Sequence, residues 1–201
     1  NDLRSAALES TVETEDTEQA HRLYLRWLDA CEQLADREDD AFDDAARTSL
    51  ATQRLEAYAG LRGLLADAYP LSSRLREAEL RFGAGDTRGA SQLLIDAMGA
   101  GLDPAALYPA LEHGLAAADD PTWQLEALLA SLPVLKSEAL HERCARHVVA
   151  LGAEQNNAEA CLTGLDALPE GVADGGEFTS LREWAVQELG QTQHELARLE
   201  S

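Results

Sequence analysis

The chain has 201 residues, 45% of them apolar, which suffices for one sizeable core or two small ones and argues against wholesale disorder. Its 37 acidic and 16 basic residues give a formal net charge of −21, which disfavours nucleic acid and anionic lipid as partners. Aromatic residues make up only 5%, so the composition favours packed helices over a sheet. No apolar run approaches the length of a membrane span.

The N-terminal third of the chain predicts long helices. Residues 1–16 are polar and predict a short first helix. From residue 17 to residue 35, apolar residues recur at steps of three and four, the pattern of an amphipathic helix. The acidic stretch "DREDDAFDD" (36–44) suits a helix N-terminus and lacks the spacing of a calcium-binding loop. A second long helical segment follows over 42–69 and is closed by Pro70.

From residue 70 onward, the helix signals recur with a period near 34 residues, which is typical of two-helix solenoid units. Pro70 and Pro104 are 34 residues apart. Asp103–Pro104 and Asp120–Pro121 each offer an N-cap followed by proline at the first helical position. The spacing predicts nine or ten helices in the whole chain, no strands, and therefore an all-α fold. In this region the expected elements are helices over 72–83, 87–99, 104–117, 121–131, 138–151 and 157–167, a loop over 168–178 and a final helix over 179–199.

Residues 70–171 resemble the tetratricopeptide repeat. Gly85–Asp86 occupies the position of the turn between that family's two helices, and Asp119–Asp120 occupies the same position one unit later. The small and large apolar positions of the first two units also match, at Ala90, Leu94, Ala97, Tyr108, Leu111, Leu115 and Leu128. The resemblance implies antiparallel helix pairs that stack in a right-handed superhelix.

The resemblance also implies a domain organisation. Three degenerate repeats would occupy 70–171, a helical segment 1–69 would pack on them, and a loop and capping helix would fill 172–201, all in one continuous domain. The third repeat aligns in two ways, and in the register preferred here Leu162 takes the buried position that Leu94 and Leu128 hold in the first two. A related α-solenoid is the alternative, because the helices before residue 70 are too long for this repeat.

A glycine-rich stretch before an apolar helix, with Gly83, Gly85 and Gly89, has the order of a phosphate-binding loop. Such a loop needs a lysine and a hydroxyl residue after its last glycine and a buried strand before its first. No lysine follows Gly89, and the preceding "SSRLREAEL" has a helical pattern. The stretch is therefore interpreted as a corner between two helices.

The cluster "HERCARH" (141–147) is the strongest candidate for a metal site. His141 and Cys144 are three residues apart on one helix face, and Cys161 lies on the expected partner helix. These are three ligands at most, whereas structural zinc takes four, so the favoured interpretation is buried thiols and a surface histidine. No hydrolase motif is present, and the sequence predicts no cofactor.

The resemblance implies that the first helices of the repeats line a groove that binds an extended peptide. Its groove positions carry over to Arg76, His113, Arg143 and His147. One hypothesis is that this cationic strip binds carboxylates of a ligand. Two alternatives stay open: these side chains offset nearby carboxylates of the chain, or the acidic surface recruits a basic partner.

The favoured function is a non-catalytic interaction module that binds a protein or peptide partner. A regulatory or substrate-recruiting domain of a larger enzyme is the second hypothesis, and a small α-helical enzyme or metal protein is the third. Three cysteines without a C-x-x-C pattern indicate reduced thiols and hence the cytoplasm. Because the chain begins at Asn1 rather than Met, a periplasmic location and membership of a larger protein stay open.

Overall fold

The computed structural model describes residues 3–7, 17–35 and 44–199, and every regular element within those ranges is a helix. The predicted all-α fold is therefore confirmed. The acidic stretch 36–43 and the predicted first helix beyond residue 7 lie outside the described residues. The chain divides into two compact units, Asn1–Asp86 and Thr87–Ser201, with the boundary inside the first predicted repeat.

Within residues 3–7, 17–35 and 44–86, unit 1 contains four α-helices, and the middle two are the longest. Helix α3 packs against α2 and against α4. The segment predicted as one helix over 42–69 is α3 followed by a separate 3-10 turn at Ala66–Ala68. The α-helices of unit 1 are α1 at residues 3–7, α2 at Thr17–Ala35, α3 at Asp44–Leu65 and α4 at Leu71–Gly83.

The core of unit 1 depends on a close approach between α2 and α3. Tyr24 and Trp27 are buried on α2 with their ring centroids 5.9 Å apart. The Tyr24 ring lies so close to Gly60 that a Cβ atom at residue 60 would be 2.2 Å from it. A side chain at residue 60 would force the buried Tyr24 ring to shift, so glycine suits this contact.

A fully buried carboxylate, Glu77, lies on α4 of unit 1. Arg81 donates to its Oε1 atom over 2.9 Å, Arg62 donates to its Oε2 atom over 3.3 Å, and the Tyr69 hydroxyl donates to Oε2 over 3.1 Å. Buried charges are tolerated when they are paired and hydrogen-bonded. This network ties α4 to α3 and to the turn before α4.

Unit 2 is a series of helices in which the main packing joins near neighbours along the chain. Helix α5 packs on α6 and α7, α7 on α8, α8 on α9, and α9 on α11. A four-residue helix occupies part of the loop predicted over 168–178, and the final helix begins three residues earlier than predicted. The helices are α5 at Thr87–Gly99, α6 at Pro104–Ala116, α7 at Pro121–Ser131 with a 3-10 turn at Leu132–Val134, α8 at Glu138–Glu154, α9 at Ala158–Asp166, α10 at Glu170–Ala173 and α11 at Gly176–Leu199.

The predicted helix caps are confirmed. The Asp103 side chain accepts a hydrogen bond from the Ala105 N–H over 3.0 Å, and Asp120 accepts one from the Trp123 N–H over 3.0 Å. A proline follows each cap at the first helical position. These bonds satisfy backbone donors that a helix start leaves free, and they place the beginnings of α6 and α7.

The glycine-rich stretch is a helix corner, as predicted. Gly85 ends α4 with a φ angle of +80°, and the N–H of Asp86 donates to the carbonyl of Arg81 over 2.8 Å. The same hydrogen-bond pattern ends α5 at Gly101. It also ends α8 at Asn156, which has a φ angle of +53°. This geometry is the Schellman motif, which satisfies the last carbonyls of a helix. Within the described residues the stretch has no preceding strand, and so it lacks the context of a phosphate-binding loop.

Helices α8 and α9 form a tight antiparallel pair. A Cβ atom at Gly152 would lie 2.8 Å from the backbone nitrogen of Cys161, while one at Gly164 would lie 2.8 Å from Val149. The end of α8 therefore lies beside the start of α9, and earlier residues of α8 lie beside later residues of α9, as in an antiparallel pair.

One predicted core position is wrong. Leu94 and Leu128 are buried, as the repeat register predicts, but Leu162 is only half-buried. The buried positions of α9 belong instead to Cys161 and Leu165. The cause is the close contact of α8 with α9, which turns a different face of α9 inward.

Candidate functional site

A pocket with a volume of about 250 Å³ lies among α6, α7 and α8 of unit 2. Most of its lining is apolar, and its polar groups are one carboxylate, one amide and one imidazole. Concave apolar sites with a few placed polar groups are the usual form of a binding site. The pocket is lined by Glu112, Leu115, Ala116, Gln124, Leu128, His147, Ala150 and Leu151.

Helical spacing explains why these residues meet. Each of α6 and α8 contributes residues at positions i, i+3 and i+4, which share one face of a helix. In α6 they begin at Glu112 and in α8 at His147, while α7 contributes Gln124 and, four residues later, Leu128. Three helix faces therefore converge on one site.

An ion-pair cluster forms the polar end of the pocket. The Glu112 carboxylate accepts a hydrogen bond from Arg143 Nε over 2.9 Å, and the Nη2 group of Arg143 pairs with its second oxygen. His147 Nδ1 lies 3.1 Å from Glu112 Oε1. The Glu112 side chain is 16% exposed, whereas those of Arg143 and His147 are 56% and 45% exposed.

The cluster brings together two of the four residues predicted to bind a ligand, Arg143 and His147. His113 is exposed on α6, next to Glu112 in the chain. Arg76 belongs to unit 1, where it donates to Glu79 over 3.1 Å and to Glu32 over 3.4 Å. In unit 2, Arg143 and His147 already share a carboxylate of the chain itself, which is the arrangement expected if these cations offset nearby acids.

Sequence reasoning missed Glu112, the residue that organises this end of the pocket. A signal was present, because the resemblance to the tetratricopeptide repeat implies a glycine at position 112, where this chain has glutamate. A glutamate at a site where two helices pack closely needs a polar partner on the neighbouring helix. Here it reaches Arg143 and His147 on α8.

The two cysteines of the predicted weak metal site are buried thiols. Cys144 donates to the carbonyl oxygen of Leu128 over 3.4 Å, and burial raises the pKa of Cys144 to about 11. Burial also raises the pKa of the Cys161 thiol. Metals bind the thiolate, which these environments disfavour. Across the part of the chain that the structure describes, no three His, Cys, Asp or Glu side chains are grouped as a metal site requires.

Comparison of the sequence with protein-family models, with curated proteins and with solved structures found no match. Among the helices of residues 3–7, 17–35 and 44–199, none is long and apolar enough to cross a membrane.

Proposed function

We propose that this chain is a non-catalytic helical interaction module that holds a protein partner by taking one of its side chains into the α6–α7–α8 pocket. The observation that carries the proposal is the pocket itself, in which three leucines and two alanines surround a space of about 250 Å³. A side chain the size of leucine or phenylalanine fits such a space. Burying it would contribute about 1.5–3 kcal/mol to binding.

The polar groups of the pocket favour positioning over catalysis. Glu112 and His147 form a carboxylate–imidazole pair, which in an enzyme orients a general base. Covalent catalysis also needs a nucleophile within reach of that base, and the residues that line the pocket include no serine, threonine, cysteine or lysine. The Cys144 thiol donates to a backbone carbonyl and has a raised pKa. The lining therefore suits hydrogen bonds to a bound segment.

We further propose that residues 70–171 are built from tetratricopeptide-like units. Support comes from the helix bounds, since Thr87–Gly99 and Pro121–Ser131 coincide with the ranges that the 34-residue period predicts. The turns add support, because Gly85 and Asn156 end the first helices of two predicted units with the same Schellman geometry. In that family the first helices carry the peptide-binding surface, and α6 and α8 are first helices in this register.

A pocket-filling variant tests the proposed function. Ala150 is exposed and lines the pocket, so Ala150→Phe places a large side chain at the binding space without changing the core. Ala139 is an exposed alanine on the same helix, outside the lining, and Ala139→Phe is the matched control. The native chain and both variants would be used as baits in lysate, and captured proteins quantified by mass spectrometry.

We expect at least one protein to be captured by the native chain and by Ala139→Phe and to be lost with Ala150→Phe. Circular dichroism of the three baits checks that all are folded to the same extent. Capture that is identical with all three baits would contradict a role for the pocket. Loss of the partner with both variants would assign binding to a different part of α8.

A further inference from the structure

Unit 2 has an excess of acidic residues, and its described arginines are already held in ion pairs. Residues 87–201 contain 18 acidic and six basic residues, a net charge of −12. The four arginines of this unit whose side chains the structure describes each pair with an acidic residue of the same unit. The pairs are Arg88 with Asp120 at 3.7 Å, Arg143 with Glu112 at 2.9 Å, Arg146 with Glu142 at 2.8 Å and Arg182 with Asp166 at 2.6 Å.

The two ends of the pocket differ in the charged groups that lie near them. At one end, Glu112 pairs with Arg143 and lies 3.1 Å from His147, both on α8. At the other end, Gln155 Nε2 donates to the carbonyl oxygen of Pro121 over 2.7 Å, which brings the end of α8 to the start of α7. Glu154 lies one turn beyond Leu151 of the lining, and Asp119 lies in the connection that leads to Pro121. Both carboxylates are exposed and lie outside the lining itself, close along the chain to residues of α7 and α8 that bound this end.

From this asymmetry we infer that the partner segment is basic: a bulky apolar side chain enters the pocket, and a lysine or arginine beside it contacts the acidic end at Asp119 and Glu154. The inference rests on the proposed function and specifies its ligand. An acidic segment would meet a unit of net charge −12 in which Arg143 and His147 already contact Glu112. Complementary charge strengthens association and rejects like-charged competitors.

Three short peptides test this ligand class by nuclear magnetic resonance of the complete chain. Acetyl-Lys-Phe-Lys-amide combines the anchor with basic flanks, acetyl-Glu-Phe-Glu-amide reverses the flanks, and acetyl-Lys-Ala-Lys-amide removes the anchor. Binding is read from the methyl signals of Leu115, Leu128 and Leu151 at pH 7 and low salt, where surface charges are least screened. We expect the first peptide to bind at least about tenfold more tightly than either of the others.

Each outcome has a separate meaning. Equal or tighter binding of the Glu-Phe-Glu peptide would overturn the basic-ligand inference while leaving the pocket as an anchor site. Equal binding of the Lys-Ala-Lys peptide would show attraction by net charge alone and would also overturn the inference. If neither phenylalanine peptide moves the leucine methyl signals, the pocket accepts no anchor, and the proposed function fails with the inference.

A pair of charge-neutralising variants distinguishes the acidic end from the acidity of the whole unit. Asp119→Asn combined with Glu154→Gln removes two charges at the pocket end. Glu177→Gln combined with Glu188→Gln removes two charges from α11, which contributes nothing to the pocket lining. We expect the first pair to weaken binding of the Lys-Phe-Lys peptide at least about fivefold and the second to change it less than about twofold, the sizes expected for a local contact and a distant, screened charge. Equal losses with both pairs would overturn the assignment of the basic side chain to this end.

Discussion

Replacement of the buried carboxylate at Glu77 should destabilise unit 1 more than most single changes in a protein of this size. The side chain has no solvent exposure and accepts hydrogen bonds from Arg81, Arg62 and Tyr69. In Glu77→Ala the Tyr69 hydroxyl, on a residue only 2% exposed, loses its carboxylate acceptor and keeps only the Ser73 carbonyl at 3.4 Å. Loss of a hydrogen bond to a charged group costs about 1.5–3 kcal/mol.

The two arginines that pair with Glu77 add little to this loss of stability. The Arg62 side chain is 40% exposed and can turn toward water, and Arg81 keeps its ion pair with Asp86 at 2.5 Å. Neither arginine is therefore left as an isolated buried charge. Together with the cavity left by the missing side chain, we expect a total loss of about 2–5 kcal/mol in the free energy of unfolding, the range for a large-to-small substitution in a core. Glu77→Gln keeps the volume and one acceptor, and about 1–3 kcal/mol should be lost.

Glu79 provides the matched control for this prediction. It lies on the same helix, its side chain is 60% exposed, and its ion pair is with Arg76. Glu79→Ala should change the free energy of unfolding by less than about 0.5 kcal/mol, since exposed pairs contribute little.

Urea titration would measure all three variants through the fluorescence of Trp27, which is buried in unit 1. A common background with phenylalanine at Trp123 and Trp184 removes the other two tryptophans. The midpoint of the transition and its slope give the free energy of unfolding for each variant. A loss below about 1 kcal/mol for Glu77→Ala, or equal losses for Glu77→Ala and Glu79→Ala, would refute the argument that the buried network stabilises this unit.

Three further predictions concern packing and thiol chemistry. Leu94→Ala should cost about 2–5 kcal/mol in denaturant unfolding and Leu162→Ala less than about 1 kcal/mol, because only the first is fully buried; comparable losses would contradict the observed orientation of α9. Gly60→Ala should lower the melting temperature, whereas Gly63→Ala, with no atom within 4 Å of the added methyl group, should leave it unchanged or raise it; a reversed order would contradict the contact of α2 with α3. Cys144, whose pKa is raised to about 11 by burial, should be about 0.1% thiolate at pH 8 and should resist iodoacetamide until the protein is unfolded in urea; rapid labelling of the native protein, detected by peptide mass spectrometry, would contradict this.

The sequence predicted the helix bounds well because helix ends are determined by local chemistry. An N-cap such as Asp120 followed by Pro121 marks a start, and a glycine such as Gly85 marks an end, whatever the helix later packs against. The short helix Glu170–Ala173 was missed because four residues are too few to show a period.

Side-chain pairing was predictable only within a single helix. The spacing of four between Arg143 and His147 places both on one face, and the structure shows them on one carboxylate. That carboxylate belongs to Glu112, and its position beside Arg143 and His147 depends on how α6 and α8 pack. Glu77 is a similar case, since "REAELR" has the composition of a solvated surface, and only the positions of Arg62 and Tyr69 make its burial favourable.

The order of packing in unit 2 also affects how this unit is made by the ribosome. Its main contacts, between α5 and α11, join helices that follow one another or are separated by one helix along the chain. Contacts between segments close in sequence need only short loop closures, so such units fold quickly. During synthesis, the partner of each emerging helix has already left the exit tunnel. Apolar faces are therefore covered in the order in which they appear, which shortens the time during which the nascent chain can aggregate.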